Sequence, residues 1–254
     1  MGFLGAGRKP RGTISRDGQV KIAAIGDLHV TDENVAPYAA TFEQASAEAD
    51  VLVLCGDLTN FGKSSEAEIL GADIAKATVP VVGVLGNHDY ECGNHEEVAR
   101  ILRQAGMIVL DEQAHEIDGV GFAGVKGFLG GFGRGELAPF GEPEIKAFVD
   151  VAINEARKLE NALRTLRTEK IVAVLHYSPI ADTLVGEPIE IFQYLGSARL
   201  ADALDRFDNI KVVVHGHAHK GKHEGATARG TPVYNVARPV LRDQLGLPFA
   251  LIEV

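Results

Sequence analysis

Five hydrophobic runs in this chain end in the same manner. Residues 20–26 (VKIAAIG) run into Asp27, Leu28 and His29; residues 50–55 into Gly56, Asp57, Leu58, Thr59 and Asn60; residues 79–85 into Gly86, Asn87, His88 and Asp89. Residues 171–175 stop at His176, and residues 211–214 run into His215, Gly216, His217, Ala218 and His219. Short apolar runs rich in Val and Ile, closed by turn residues, predict buried strands. Between the first three and after the third, the polar and apolar spacing predicts helices over 36–49, 66–77 and 94–105, the second opened by Ser64, Ser65 and Glu66. Strand and helix thus alternate, which is the order of a parallel sheet covered on both faces. Ligands bind such sheets outside the C-terminal ends of the strands. The five polar endings are therefore expected to meet in one site.

After residue 106 the pattern changes. Residues 107–110, 114–117 and 121–125 read as short strands between turn signals, an antiparallel portion beside the parallel one. Residues 128–141 form a glycine-rich loop carrying Arg134, which either borders the site or is a passive surface connection. Ile145, Phe148, Val149, Ala152, Ala156, Leu159, Leu163 and Leu166 recur at three- and four-residue spacing, predicting a long helix over 143–168 packed on the sheet. Residues 180–194 mix loop and short helix, 197–207 read as a helix, 224–229 as part of a hairpin, and 232–237 and 247–254 as the last strands. No linker interrupts 20–254, so it reads as one domain. Residues 1–19, with Arg8, Lys9, Arg11 and Arg16 among glycines, read as a flexible tail or an edge hairpin.

Composition narrows the function. The 254 residues are 46% hydrophobic, enough for a substantial core. The formal net charge of -10 does not attract polyanions, which disfavours a nucleic-acid polymer as partner, and the absence of Trp argues against a base-stacking surface. A small anionic substrate stays open, because bound metal ions dominate their own neighbourhood. Two cysteines, Cys55 on a core strand and Cys92 after the third polar turn, make neither a disulfide framework nor a zinc cluster. No apolar run reaches 18 residues, residues 1–7 are too short for a signal peptide, and Ala6 stands where acylation wants Ser or Thr. The expectation is a cytoplasmic protein without a membrane contact; nothing in the sequence speaks to its oligomeric state.

The polar endings carry the chemistry. Asp27 and His29, two apart, are a catalytic pair or two metal ligands. Asp57 offers two oxygens, the means by which one residue bridges two cations about 3.5–4 Å apart; its plainer reading is a turn aspartate. Asn60 reads as a turn residue or one outside the ligand set. Asn87 supplies a neutral oxygen, His88 can approach a substrate without touching metal, and Asp89 can set the tautomer of an imidazole; the plainer reading is a polar turn with Asp89 as a local cap. His176, His217 and His219 end core strands, where an unpaired imidazole is costly. His215 reads as structural or supporting. Asp27, His29, Asp57, Asn87, His176, His217 and His219 make seven oxygen or nitrogen donors and no thiolate, which points to a dinuclear centre of Mn, Fe or Zn rather than one structural zinc.

These five blocks, in this order, resemble the calcineurin-like metallophosphoesterases, whose pattern is Asp-x-His, Gly-Asp-x-x-(Asp or Asn), Gly-Asn-His-(Asp or Glu), a separate His and Gly-His-x-His. The resemblance spans residues 20–236. It implies an α/β fold, a four-layer α/β/β/α sandwich of two mixed sheets. It implies one ion on Asp27, His29 and His219, a second on Asn87, His176 and His217, and Asp57 across both. It places His88 beside the phosphate, assisting the leaving group, with Asp89 orienting it. Val30 replaces a glycine often found there. Asn60 stands where purple acid phosphatases have their tyrosine ligand, and Phe61 and Gly62 where protein phosphatases have an arginine. The implied activity is metal-dependent hydrolysis of a phosphate ester by an activated hydroxide. A small phosphodiester such as a cyclic nucleotide is the expected substrate, ahead of a phosphomonoester. A non-catalytic metal-binding module is the rival reading. Asn60, His215 and Arg134 are the candidates for supporting or substrate contacts.

Overall fold

Val51–Cys55 is apolar at every position, and all five residues are buried on both faces, as a central parallel strand requires. The computed structural model, which describes residues 19–254, builds two sheets from such segments. The first contains β1 (Lys21–Ile25), β2 (Val51–Cys55), β3 (Val81–Val84) and β4 (Met107–Val109), all parallel, with β11 (Ala250–Glu253) antiparallel on the β1 edge. The second runs β5 (Ala114–Ile117), β6 (Val120–Val125), β7 (Lys170–Leu175), β8 (Ile210–His215), β10 (Pro232–Asn235) and β9 (Glu224–Ala226). Its four central strands are parallel and its two edges antiparallel.

The alternation along β7 explains the layers. Val172 and Val174 join the core that includes Ile22, Leu52 and Val82 of the first sheet. Ile171, Ala173 and Leu175 face the other way, into a core with Leu159 and Leu163 of α4 (Pro143–Thr165) and Leu200 and Leu204 of α6 (Ala198–Leu204), which follows the short α5 (Phe192–Leu195). The first sheet is covered in turn by α1 (Ala39–Glu48), α2 (Ser64–Ile74) and α3 (His95–Gln104), which contribute Phe42, Leu70 and Leu102. This is the four-layer sandwich the sequence resemblance implies.

Boundaries moved where local chemistry intervened. The last strand begins at Ala250 rather than 247, because a single π turn (Leu241–Leu245) ends at left-handed Gly246 and Pro248 follows it. The long helix stops at Thr165, and α6 starts after Ser197, whose Oγ accepts the Arg199 N–H. The expected tail or hairpin over 1–19 falls, save residue 19, outside the described residues. Among those described, no helix is long and apolar enough to cross a membrane.

Candidate metal centre

Every parallel strand that ends in a polar block delivers it to one edge of the sandwich. Three groups of side chains there have donor atoms within 4.8 Å of one another: Asp27, His29 and His219; His29, Asp57 and His88; and Asp57, His176 and His217. Asp57 connects them, with Oδ2 3.8 Å from His29 Nε2 and Oδ1 3.2 Å from His176 Nε2. Asn87 Oδ1 lies 2.9 Å from His176 Nε2, and Asp27 Oδ1 2.9 Å from His219 Nε2. All seven predicted donors, together with His88, therefore converge.

The backbone is bent to achieve this. Asp27 (φ 59), His29 (φ 48), Asp57 (φ 48) and His217 (φ 71) all adopt left-handed conformations, each costing roughly 1–2 kcal/mol in a non-glycine residue. Such conformations concentrate where function constrains the chain. Glycine permits the close approach: a Cβ on Gly86 would sit 2.1 Å from the Asp57 nitrogen, and one on Gly216 2.4 Å from Asp27 Oδ2.

Hydrogen bonds decide which imidazole nitrogens are free. His176 Nδ1 donates to the Cys55 carbonyl at 2.9 Å, leaving Nε2 for the centre. His88 Nδ1 donates to the Asn60 carbonyl at 2.7 Å, so its Nε2 is free, and its ring packs edge-on against His29 with centroids 4.6 Å apart. His217 Nε2 lies 3.2 Å from the Tyr194 carbonyl, which leaves Nδ1 as its electron-pair donor. Both ring nitrogens of His29 are buried with no hydrogen-bond partner among the described residues. An imidazole so placed loses its hydration with no return, and burial, outweighing Asp57 and Asp27, holds it below its usual pKa, neutral and able to bind a cation. An orphaned imidazole among oxygen and nitrogen donors fits a transition-metal centre.

The charges are coupled. Burial opposes protonation of His176, but the Asp57 carboxylate overrides it and raises the imidazole to about 9. Burial likewise works against the Asp57 charge, yet His176 holds that carboxyl well below the ordinary range. His217 falls to about 3, through burial and the neighbouring His176. His219 is raised by its hydrogen bond to Asp27.

Contrary to the expectation from the sequence resemblance, Asp89 does not orient His88. Its buried carboxylate accepts from the backbone nitrogens of Gly86 (2.7 Å), Leu58 (3.2 Å) and Thr59 (2.7 Å) and from Thr59 Oγ1 (2.6 Å), tying the second and third polar loops together. The Asn60 backbone carbonyl does the orienting instead, a contact that no side-chain pattern reveals. His215 is buried and faces away: its nitrogens meet the Gly216 carbonyl and Thr183 Oγ1, and burial lowers it to about 4. Arg134 sits exposed in the turn Gly133–Gly135 and makes no ion pair among the described residues. Cys55 is buried, and Cys92 is exposed with Sγ donating to the Gly62 carbonyl. Sequence reasoning missed Thr59, Tyr177, whose ring packs on His217 at 4.4 Å, and the Tyr194 carbonyl.

The model of one protein family, the calcineurin-like phosphoesterases, matches residues 20–221. The uncharacterized protein MJ1162 of Methanocaldococcus jannaschii is 26% identical over 80% of this chain and 82% of its own length. A probable glycerophosphodiester phosphodiesterase, GpdQ, of Arcobacter nitrofigilis is 21% identical over 67% of this chain and 57% of its own length. Among solved structures, the phosphopantetheinyl hydrolase PptH of Mycobacterium tuberculosis superposes with a TM-score of 0.66 at 16% identity, covering 91% of this chain and 95% of that one. At that identity the likeness is one of fold.

Proposed function

The chain belongs to the calcineurin-like phosphoesterases, a family of metal-dependent phosphoester hydrolases, and we propose that it cleaves a small phosphodiester at a two-metal centre. Asp27, His29 and His219 would hold one ion, Asn87, His176 and His217 the other, and Asp57 both. Ions of Mn, Fe or Zn suit this mixed carboxylate and imidazole set. Bound there, they would neutralise charge on the phosphoryl oxygens and supply an activated water.

The remaining work falls to the chain. His88, anchored through Nδ1 on the Asn60 carbonyl, presents Nε2 to the centre and can hand a proton to the leaving oxygen. Asp89 positions rather than reacts, fixing the loops that carry Asp57 and His88. The observation that carries the reading is Asp57, whose two oxygens address imidazoles on opposite sides of the centre. The diester preference is supported by the name of the A. nitrofigilis relative, which says that it acts on glycerophosphodiesters. The net charge of -10 favours a small substrate over a polyanion.

Protein loaded with Mn, Fe or Zn and assayed on bis-p-nitrophenyl phosphate and p-nitrophenyl phosphate tests this. Faster turnover of the diester, lost with EDTA and restored by the ion, is expected. Exclusive cleavage of the monoester would overturn the diester preference. No turnover of either with any of these ions would favour a binding module of the same fold.

A further inference from the structure

Lys126 follows β6 directly, and its backbone carbonyl receives the N–H groups of His176 and Tyr177. The ammonium lies over three aromatic rings, 5.1 Å from the centroids of Tyr90 and Phe128 and 5.2 Å from that of Tyr177. Its one hydrogen bond is to the Gly127 carbonyl at 2.9 Å. An ammonium has three donors, and no carboxylate among the described residues lies within ion-pair distance of this one. The two acids nearby are already engaged. Glu155 accepts from the Gly127 N–H and from Lys158, and Asp111 accepts from Lys158. Burial pulls the lysine pKa down, with Glu155 acting against it.

This group lines a cavity of about 640 Å³ between α3 and α4, a size ordinary for a small-molecule site. His95, stacked on Tyr90 with centroids 3.9 Å apart, lines it too, and its buried Nδ1 has no partner. Leu85, Val109, Leu110 and Val151 give part of the wall an apolar character, and Glu96, Arg103, Asp111, Glu155 and Lys158 line the remainder. The cavity thus combines an ammonium without an ion pair among the described residues, an imidazole ring stacked on Tyr90 and apolar surface. Its position is telling: Leu85 and Tyr90 bracket the turn that bears Asn87 and His88, and the Tyr177 ring stands between Lys126 and His217.

We propose that this cavity is an oxyanion site beside the metal centre, in which Lys126, with the His95 ring in the same wall, receives a carboxylate or phosphate carried by a small molecule with an apolar body. The oxyanion is either a second anionic group of the substrate, which rests on the phosphodiesterase reading, or the head of a separate effector.

Zinc-loaded full-length protein with ¹³C-labelled tyrosine rings, titrated with acetate, tests it. The Tyr90 and Tyr177 signals should shift saturably, with Tyr90, whose ring stacks on His95 in the cavity wall, as the reporter. Lys126→Met, which keeps the apolar stem, should weaken that binding at least about tenfold, the scale of a lost charge-assisted hydrogen bond. His95→Phe, which keeps the stack on Tyr90, should weaken it less. Zinc content should be unchanged in both variants, showing an intact centre. No saturable shift of Tyr90, or equal binding by Lys126→Met, would overturn the proposal.

The source is read from 2-carboxyethyl p-nitrophenyl phosphate and its methyl ester. A preference for the free carboxylate that Lys126→Met abolishes places the oxyanion on the substrate. An unchanged ratio alongside Lys126-dependent acetate binding assigns the site to a separate molecule. Failure to cleave either ester refutes the phosphodiesterase reading, while the tyrosine shifts still decide on the cavity.

Discussion

His176 and His29 both sit in loops leaving core strands, yet one is held at each ring nitrogen and the other at neither. His176 is wholly buried, donates to the Cys55 carbonyl, and meets Asp57 and Asn87 with its second nitrogen. His217, its neighbour, is fixed by Tyr177 and the Tyr194 carbonyl. On the other side the His29 ring has no hydrogen bond among the described residues, and the His219 side chain is 41% exposed. One half of the centre is preorganised by backbone carbonyls before any ion arrives. The other half is open and leaves an imidazole that only a ligand would satisfy. Supporting hydrogen bonds raise ligand basicity and fix ring orientation, so the two ions of the proposed centre should be held unequally.

The largest effect should come from deleting a ligand on each side. His176→Ala should weaken ion binding by more than the roughly 10–100-fold that loss of an outer-shell partner costs, because it also leaves Asp57 and Asn87 unpaired. His219→Ala should weaken only the open side, and less. Ion-by-ion titration calorimetry measures both, and equal losses would break the comparison.

A smaller effect belongs to His88, which packs on His29 and is not a ligand in the proposed scheme. His88→Ala should slow esters with alkoxide leaving groups by roughly 10²-fold or more, and p-nitrophenyl esters far less, with metal content retained. Equal slowing of both ester types, with ions lost, would make His88 a ligand.

The smallest effect is on pH dependence. In metal-free protein the His176 pKa stands at about 9, above its ordinary 6.5. Its contribution to stability is therefore complete below pH 6.5 and lost as pH rises through 9. An ion must displace that proton, so binding on the buried side should strengthen with pH up to about 9 and release a proton on loading. Calorimetry in buffers of different ionisation heat reads that proton. Release that does not decline towards pH 9 would contradict the pairing of His176 with Asp57.

The strands and the residues at their ends were legible because burial on both faces leaves an uninterrupted apolar run that stops where the chain turns polar, as at Val51–Cys55 before Asp57. The α7 segment (Arg238–Val240) and the π turn after it carry no such period and were not anticipated. That the seven candidate donors lie together was legible because side-chain type carries the chemistry. What orients them was not. The carbonyls of Cys55, Asn60 and Tyr194 belong to backbone that any residue supplies, and only the tertiary fold brings them to His176, His88 and His217. Asp89 shows the converse: a side chain next to His88 in sequence spends its oxygens on the loops around it.

The metal content of Asp57→Asn tests the account most directly. Among the described residues Asp57 is the one carboxylate whose oxygens reach both halves, and a carboxamide has a single acceptor oxygen to offer. Elemental analysis after dialysis should find two ions per chain in the parent protein and fewer than one in Asp57→Asn, with any residue left on the buried side. Two ions retained per chain by Asp57→Asn would contradict the bridging role and, with it, the two-metal centre as drawn.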